Sequence, residues 1–203
     1  MTEPIVNGRD IDALCSRDAV FARIREQYGP PPGWARDPGF RSLCLIILEQ
    51  QVSLESARAH FRRLEEFVPA LVPAELLKLT DGQMRSCYVS RQKAVYLREL
   101  SAAVETGRLD LSALDALSEP EVRTRLNAVK GIGTWTADIY LMFCLQRKDI
   151  FPIGDVAVRT AVKTFYPVEE KEQMLTLSEG WKPLRSLASY FFWHAYLVQR
   201  GRS

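Results

Sequence analysis

The chain has 203 residues, 47% hydrophobic and 26% charged, and its 27 Lys and Arg nearly balance 25 Asp and Glu for a formal charge of +2. This is the composition of an ordinary soluble globule, long enough to bury a core without staples in one large domain or two small lobes. So small a charge does not announce a nucleic-acid binder, and it accommodates one only through a local basic stripe.

Residues Met1 to Asn7 read as a loose terminus. From Asp10 to Tyr28 the apolar positions Ile11, Leu14, Ala19, Phe21 and Ile24 predict one or two helices, ended by Gly29-Pro30-Pro31-Pro32-Gly33. Trp34 follows this break and is read as a core anchor of the next loop. Phe40 to Leu48 is apolar on nearly all sides and predicts a helix central in its lobe. Gln50-Gln51-Val52-Ser53 interrupts it, and Ser53 with Ser56 can start the next helix. Short helices are expected at Pro73 and Asp81, then a longer one from Ser90 through Val104, with Arg91 and Lys93 read as solvated charges or backbone contacts. Asp110 to Leu117 predicts another short helix. No strand-like alternation stands out, so the fold class is all-α.

Glu119 to Ala128 carries Val122 and Leu126 at helical spacing behind a Ser118-Glu119-Pro120 start. Lys130-Gly131-Ile132-Gly133 breaks the pattern, and a helical period resumes at Thr134 with Trp135, Ile139, Met142 and Phe143. The prediction is helix, tight turn, helix. Amides at Gly131 and Gly133 then lie at a helix N-terminus, which favours an anion such as phosphate; by itself a G-x-G is more often a plain turn. Gly154-Asp155-Val156-Ala157 reads as a helix N-cap. Val156 to Phe165 and a polar helix from Glu169 to Leu177 follow. The last helix carries Tyr190, Phe191, Phe192, Trp193 and Tyr196, more aromatics than one face can bury, so some are expected to line a cavity.

Cys15, Cys44, Cys87 and Cys144 are scattered without zinc spacing, the pattern of reduced thiols in a cytoplasmic protein. No apolar run approaches the ~18 residues of a spanning helix, so no membrane partner is expected. His60 and His194 show no partner pattern and are read as structural or exposed.

The phrase V-K-G-I-G-T-W-T-A-D (Val129–Asp138) with I-G-D-V-A-V-R (Ile153–Arg159) downstream resembles the helix-hairpin-helix, Gly/Pro-rich loop and aspartate signature of the HhH-GPD DNA glycosylase superfamily. Within it the chain looks most like the 3-methyladenine DNA glycosylase II type. The resemblance is strongest from about Leu126 to Trp193 and weaker through Glu49–Ser53. It implies a two-lobed helical domain with a cleft between lobes: a lobe of roughly 38–118 inserted between 1–37 and 119–203, with the hairpin at about 120–145.

The resemblance also implies chemistry. Asp155 is the candidate catalytic carboxylate, and Trp135 and Trp193 are candidate base-cleft aromatics. Lys130, Gly131, Ile132, Gly133, Thr134, Gln50 and Gln51 are candidate DNA contacts. Gln51 stands where relatives wedge a bulky apolar residue into the duplex, and is read equally as that wedge or as an interhelical polar residue. Backbone carbonyls of Asn127, Val129 and Ile132 match positions that hold a monovalent cation, Na+ or K+. Bifunctional relatives have a lysine nucleophile where this chain has Trp135, which implies a monofunctional enzyme without lyase activity. No cysteine follows Cys144, so no iron–sulfur cluster and no other cofactor is expected. Ile139 replaces the family's tyrosine and leaves base preference open. The expected function is excision of alkylated purines from damaged duplex DNA by a monomer. The alternatives are a non-catalytic DNA-binding module and a glycosylase for deaminated or oxidised bases.

Overall fold

The computed structural model describes residues 3–201; Met1 and Thr2 of the expected loose terminus lie outside the described residues. Among the described residues all regular elements are helical. The backbone divides into two compact units, one made of the residues up to Ala35 together with those from Leu141 onward, the other of Arg36–Tyr140.

The first unit begins with α1 (Gly8–Arg17) and α2 (Ala19–Tyr28). Asn7 caps α1 by accepting from the Asp10 amide, and Asp18 caps α2 by accepting from Val20. The segment before α1 is pinned, contrary to the loose terminus expected. Ile5 is buried and its amide donates to Gln146 Oε1 at 3.2 Å, while Lys148 Nζ reaches Glu3 at 2.6 Å and Asp10 at 2.7 Å. These partners lie far along the chain, beyond the reach of local pattern.

The inserted unit holds α3 (Phe40–Glu49), α4 (Leu54–Phe67), α5 (Pro73–Leu77), α6 (Asp81–Ser86), α7 (Arg91–Glu105), α8 (Glu119–Asn127) and most of α9 (Thr134–Phe143). As its apolar run implies, α3 is central: Leu43, Ile46, Ile47 and Leu48 are all 0% exposed. Each such side chain contributes about 1.5–3 kcal/mol of burial free energy. The unit extends past the expected 38–118 to Tyr140 and takes in the hairpin. The reason is packing: Gln50 and Tyr96 both hold the hairpin turn, as described below.

The chain returns to the first unit for α10 (Val156–Phe165), α11 (Lys171–Ser178) and α12 (Arg185–Gln199). On α12, Tyr190, Phe191, Phe192 and Trp193 are all 8% exposed or less. The excess of aromatics is thus absorbed by burial on nearly every side of α12, where α1, α2 and α10 pack. Phe21 of α2 meets Phe191 and Phe192 at 5.6 and 5.3 Å and Trp181 edge-on at 5.6 Å. Asp18 ties this core together, its Oδ2 accepting from the Tyr166 hydroxyl at 2.6 Å and the Trp181 indole at 3.2 Å.

Candidate nucleic-acid interface and catalytic carboxylate

The hairpin turn is shaped by what cannot fit there. Gly131 has φ +94°, and a Cβ on it would lie 2.1 Å from Cγ of Tyr96 on α7. Only glycine satisfies both the backbone angle and the ring above it. Gly133 is different: it is exposed and a Cβ there would meet nothing within 4 Å. Val129 and Ile132 are buried and turn inward, so Lys130, Gly133 and Thr134 face solvent. The Ile132 amide donates to the Val129 carbonyl at 3.0 Å, closing the turn just before α9 begins.

Two braces fix this turn and the helices beside it. Gln50, directly after α3, donates its side-chain amide to the Gly131 carbonyl at 2.9 Å and to Thr136 Oγ1 at 3.0 Å. Across the hairpin, Arg123 of α8 donates to the buried Asp138 of α9 at 2.8 Å. Burial pushes the Asp138 carboxyl above its ordinary value despite Arg123. Trp135, on the first turn of α9, is half-buried.

The turn after α3 exposes Gln51 in the left-handed region, with φ 56°. A non-glycine residue there carries about 1–2 kcal/mol of strain. Val52 and Leu54 beside it are 40% and 42% exposed, an apolar surface that reading the turn as polar passed over. Lys93, read as a solvated charge or a backbone contact, is instead drawn into the fold: its Nζ donates to the Leu48 carbonyl at 2.6 Å in the last turn of α3. A cation at a helix C-terminus is favourable, and burial holds this ammonium below its ordinary value.

Asp155 lies in the first unit, and side chains frame it. Its amide donates to the Pro152 carbonyl at 2.8 Å, and Arg159 Nη1 reaches back to the Ile153 carbonyl at 2.8 Å, so the loop before α10 is closed on itself. The Oδ1 oxygen accepts from the Val158 amide at 3.0 Å, the expected cap, and from the indole N–H of Trp193 at 3.0 Å. Two donors on one oxygen hold the carboxylate in a single orientation. Trp193 is 8% exposed and sits among Phe143, Tyr190 and Trp34, with ring centroids 5.4, 5.8 and 6.3 Å away. Trp34, read as a core anchor, is half-buried in this same group. Pro30, Pro31, Pro32 and Gly33 precede it, so no helical periodicity links it to Trp193.

Residues 44–186 match the family described as HhH-GPD superfamily base excision DNA repair protein. The chain belongs to this superfamily. It is similar to a DNA-3-methyladenine glycosidase of Bacillus halodurans, with 30% identity and a TM-score of 0.77 over 96% of this chain and 92% of that one. It is also similar to the 3-methyladenine DNA glycosylase of Schizosaccharomyces pombe in complex with abasic DNA, with 25% identity and a TM-score of 0.84 over 91% and 95% of the two chains. A putative DNA-3-methyladenine glycosylase of Bacillus subtilis is 29% identical over 77% of this chain, which spans 58% of that relative's length. Among the described residues no group of three or more His, Cys, Asp or Glu side chains could hold a metal ion, and the four cysteines are free thiols. No helix among them is long and apolar enough to cross a membrane.

Proposed function

We propose that this HhH-GPD protein is a DNA glycosylase that hydrolyses the N-glycosidic bond of alkylated purines, of the 3-methyladenine type, in duplex DNA. The observation that carries the reading is Asp155, whose carboxylate is fixed by the Val158 amide and the Trp193 indole, in a chain whose relatives are named for that activity.

The anomeric carbon is shielded inside the stack, so the target nucleotide must turn out of the duplex at a cost of a few kcal/mol. Aromatic surfaces that stack the extruded base offset part of this cost, and half-buried Trp135 is assigned that role. The bond then breaks toward an oxocarbenium-like sugar. Asp155 stabilises the developing positive charge and orients or deprotonates the attacking water. Trp193 takes part through its N–H, which keeps the carboxylate aimed. A base already cationic from alkylation departs without a general acid, and an electron-rich aromatic surface attracts it. Trp135 offers no amine where bifunctional relatives place lysine, so an abasic site is the product and the strand stays intact.

DNA is assigned to the hairpin. The open space beside Gly133 lets a phosphate approach the amides at the start of α9, with Lys130 and Thr134 exposed alongside. The carbonyls of Asn127, Val129 and Ile132 are hard oxygen donors that suit Na+ or K+. The Val129 carbonyl accepts one hydrogen bond and keeps a second lone pair. Such an ion would add positive charge against the phosphate. Gln51, exposed and strained just before apolar Val52 and Leu54, is assigned to fill the gap left by the flipped base, while Gln50 acts on the hairpin as a brace.

Incubation with methylated, uracil-containing and hypoxanthine-containing duplexes, followed by identification of the released bases, tests the reading. Release of 3-methyladenine with no strand cleavage is expected. Release of uracil or hypoxanthine alone reassigns the substrate, and no release from any duplex leaves a binding module.

A further inference from the structure

Three non-glycine residues among those described hold a positive φ: Gln51, Tyr88 and Gln146. Gln146 is accounted for locally, because its side-chain amide donates to the Met142 and Phe143 carbonyls at the end of α9. Gln51 belongs to the interface above. Tyr88, with φ 59°, belongs to neither.

Tyr88 ends α6. The Val89 amide donates to the Met84 carbonyl at 3.1 Å and the Tyr88 amide to Arg85 at 2.9 Å, the paired bonds of a Schellman motif with Tyr88 at the left-handed position. Glycine takes that position without strain. The fold gains little from the ring, since Tyr88 is 60% exposed while Met84 and Val89 on either side are buried and anchor the turn. Yet the ring is ordered by two neighbours on α4. The Arg63 guanidinium lies 4.7 Å from its centroid, and the His60 ring is 5.9 Å away. Cys87 Sγ also donates to the Arg63 carbonyl at 3.6 Å, tying α4 to the end of α6.

Lys93 connects this platform to the helix end that precedes the Gln51 turn. Burial and the charge of Lys93 lower the His60 pKa, and the same Lys93 holds the Leu48 carbonyl just before Gln50 and Gln51. Along α4, His60 is seven residues beyond the Ser53 cap, about 10 Å at 1.5 Å per residue. Neighbouring phosphates on a strand fall within that reach.

We propose that Tyr88, Arg63 and His60 form a second DNA-contacting surface, which grips the duplex backbone one or two nucleotides from the Gln51 turn. The inference rests on the glycosylase reading for its ligand, and its chemistry is that of a guanidinium stacked on an aromatic ring. Arg63 supplies donors and charge to a phosphate, and the exposed tyrosine ring packs against sugar or an unstacked base. A strained, exposed aromatic costs the free protein stability, and a ligand contact gives the ring a use that the fold does not.

Tyr88→Gly separates this role from a structural one. The variant relieves the left-handed strain, so its Tm is expected to equal or exceed the wild-type value, while its Kd for an undamaged duplex of about 20 base pairs rises about tenfold. Arg63→Gln should reduce the slope of log K against log salt by about one. A Tyr88→Gly variant that loses stability, or one that binds the duplex as tightly as wild type, overturns the proposal. Loss of duplex binding by wild type itself would instead defeat the DNA reading on which the proposal rests.

Discussion

The hairpin and the Asp155 loop present their chemistry in opposite ways. The hairpin presents its backbone: Gly131 is required by the ring above it, the Gly131 carbonyl is braced by Gln50, and Gly133 leaves space. The Asp155 loop works through side chains, one carboxylate oxygen held by an amide and an indole within a group of aromatic rings. The first offers backbone groups and open space, which suits the proposed phosphate contact. The second is built to hold one charge in one direction.

This contrast is broken most forcefully at Gly131. Gly131→Ala places a methyl 2.1 Å from Tyr96 in a left-handed backbone, and the two penalties together are expected to cost about 2–5 kcal/mol in urea unfolding. Gly133→Ala, two residues on, should leave stability within about 0.5 kcal/mol while weakening duplex binding. Equal losses at the two positions would mean the turn is not divided into an inner and an outer glycine.

At the carboxylate, Trp193→Phe retains a ring but removes the N–H to Asp155. Hydrogen bonds to charged groups are worth about 1.5–3 kcal/mol, so single-turnover base release should slow roughly tenfold to a hundredfold, with duplex binding little changed. An unaltered rate would show that the indole only fills space. Gln50→Ala removes two hydrogen bonds from the hairpin side and should cost about 1–2 kcal/mol of stability, together with weaker binding.

The smallest effects are in pH, and their signs differ between the two units. Burial raises the Asp138 carboxyl beside the hairpin, so its contribution is full below the unfolded carboxylate value and is lost as pH rises through the folded one. In the first unit burial pushes Asp10 up, but hydrogen bonds from Lys148 and Asn7 outweigh it and hold the carboxyl low. Its contribution is present above the unfolded value and lost as pH falls through the folded one. Asp138→Asn and Asp10→Asn should therefore change the slope of stability against pH, measured by urea unfolding between pH 3 and 7, in opposite directions.

Local pattern carried much of this molecule. The 3.6-residue period located the helices, the glycine pair located the turn, and Gly-Asp-Val-Ala located the cap that Asp155 makes. What local pattern could not carry were contacts between distant segments. Gln50 looked like a surface contact because its partner Gly131 is 81 residues away. Lys93 looked solvated because the Leu48 carbonyl it holds is 45 residues back. Trp34 reads as an anchor, but the rings it packs on, Tyr190 and Trp193, come from the other end of the chain and no local pattern names them. Val52 and Leu54 carry no sequence signal of their exposure, because a Gln-Gln-Val-Ser turn is polar by majority whereas exposure belongs to each side chain separately.

In the proposed function Asp155 performs the chemistry and the hairpin performs the binding. Asp155→Asn keeps the shape of the cap, since an asparagine oxygen can still accept from Val158 and Trp193, but removes the negative charge. Release of 3-methyladenine from methylated duplex should fall below detection in this variant while its Kd for the same duplex stays within about twofold of wild type. Full base release by Asp155→Asn would contradict the account.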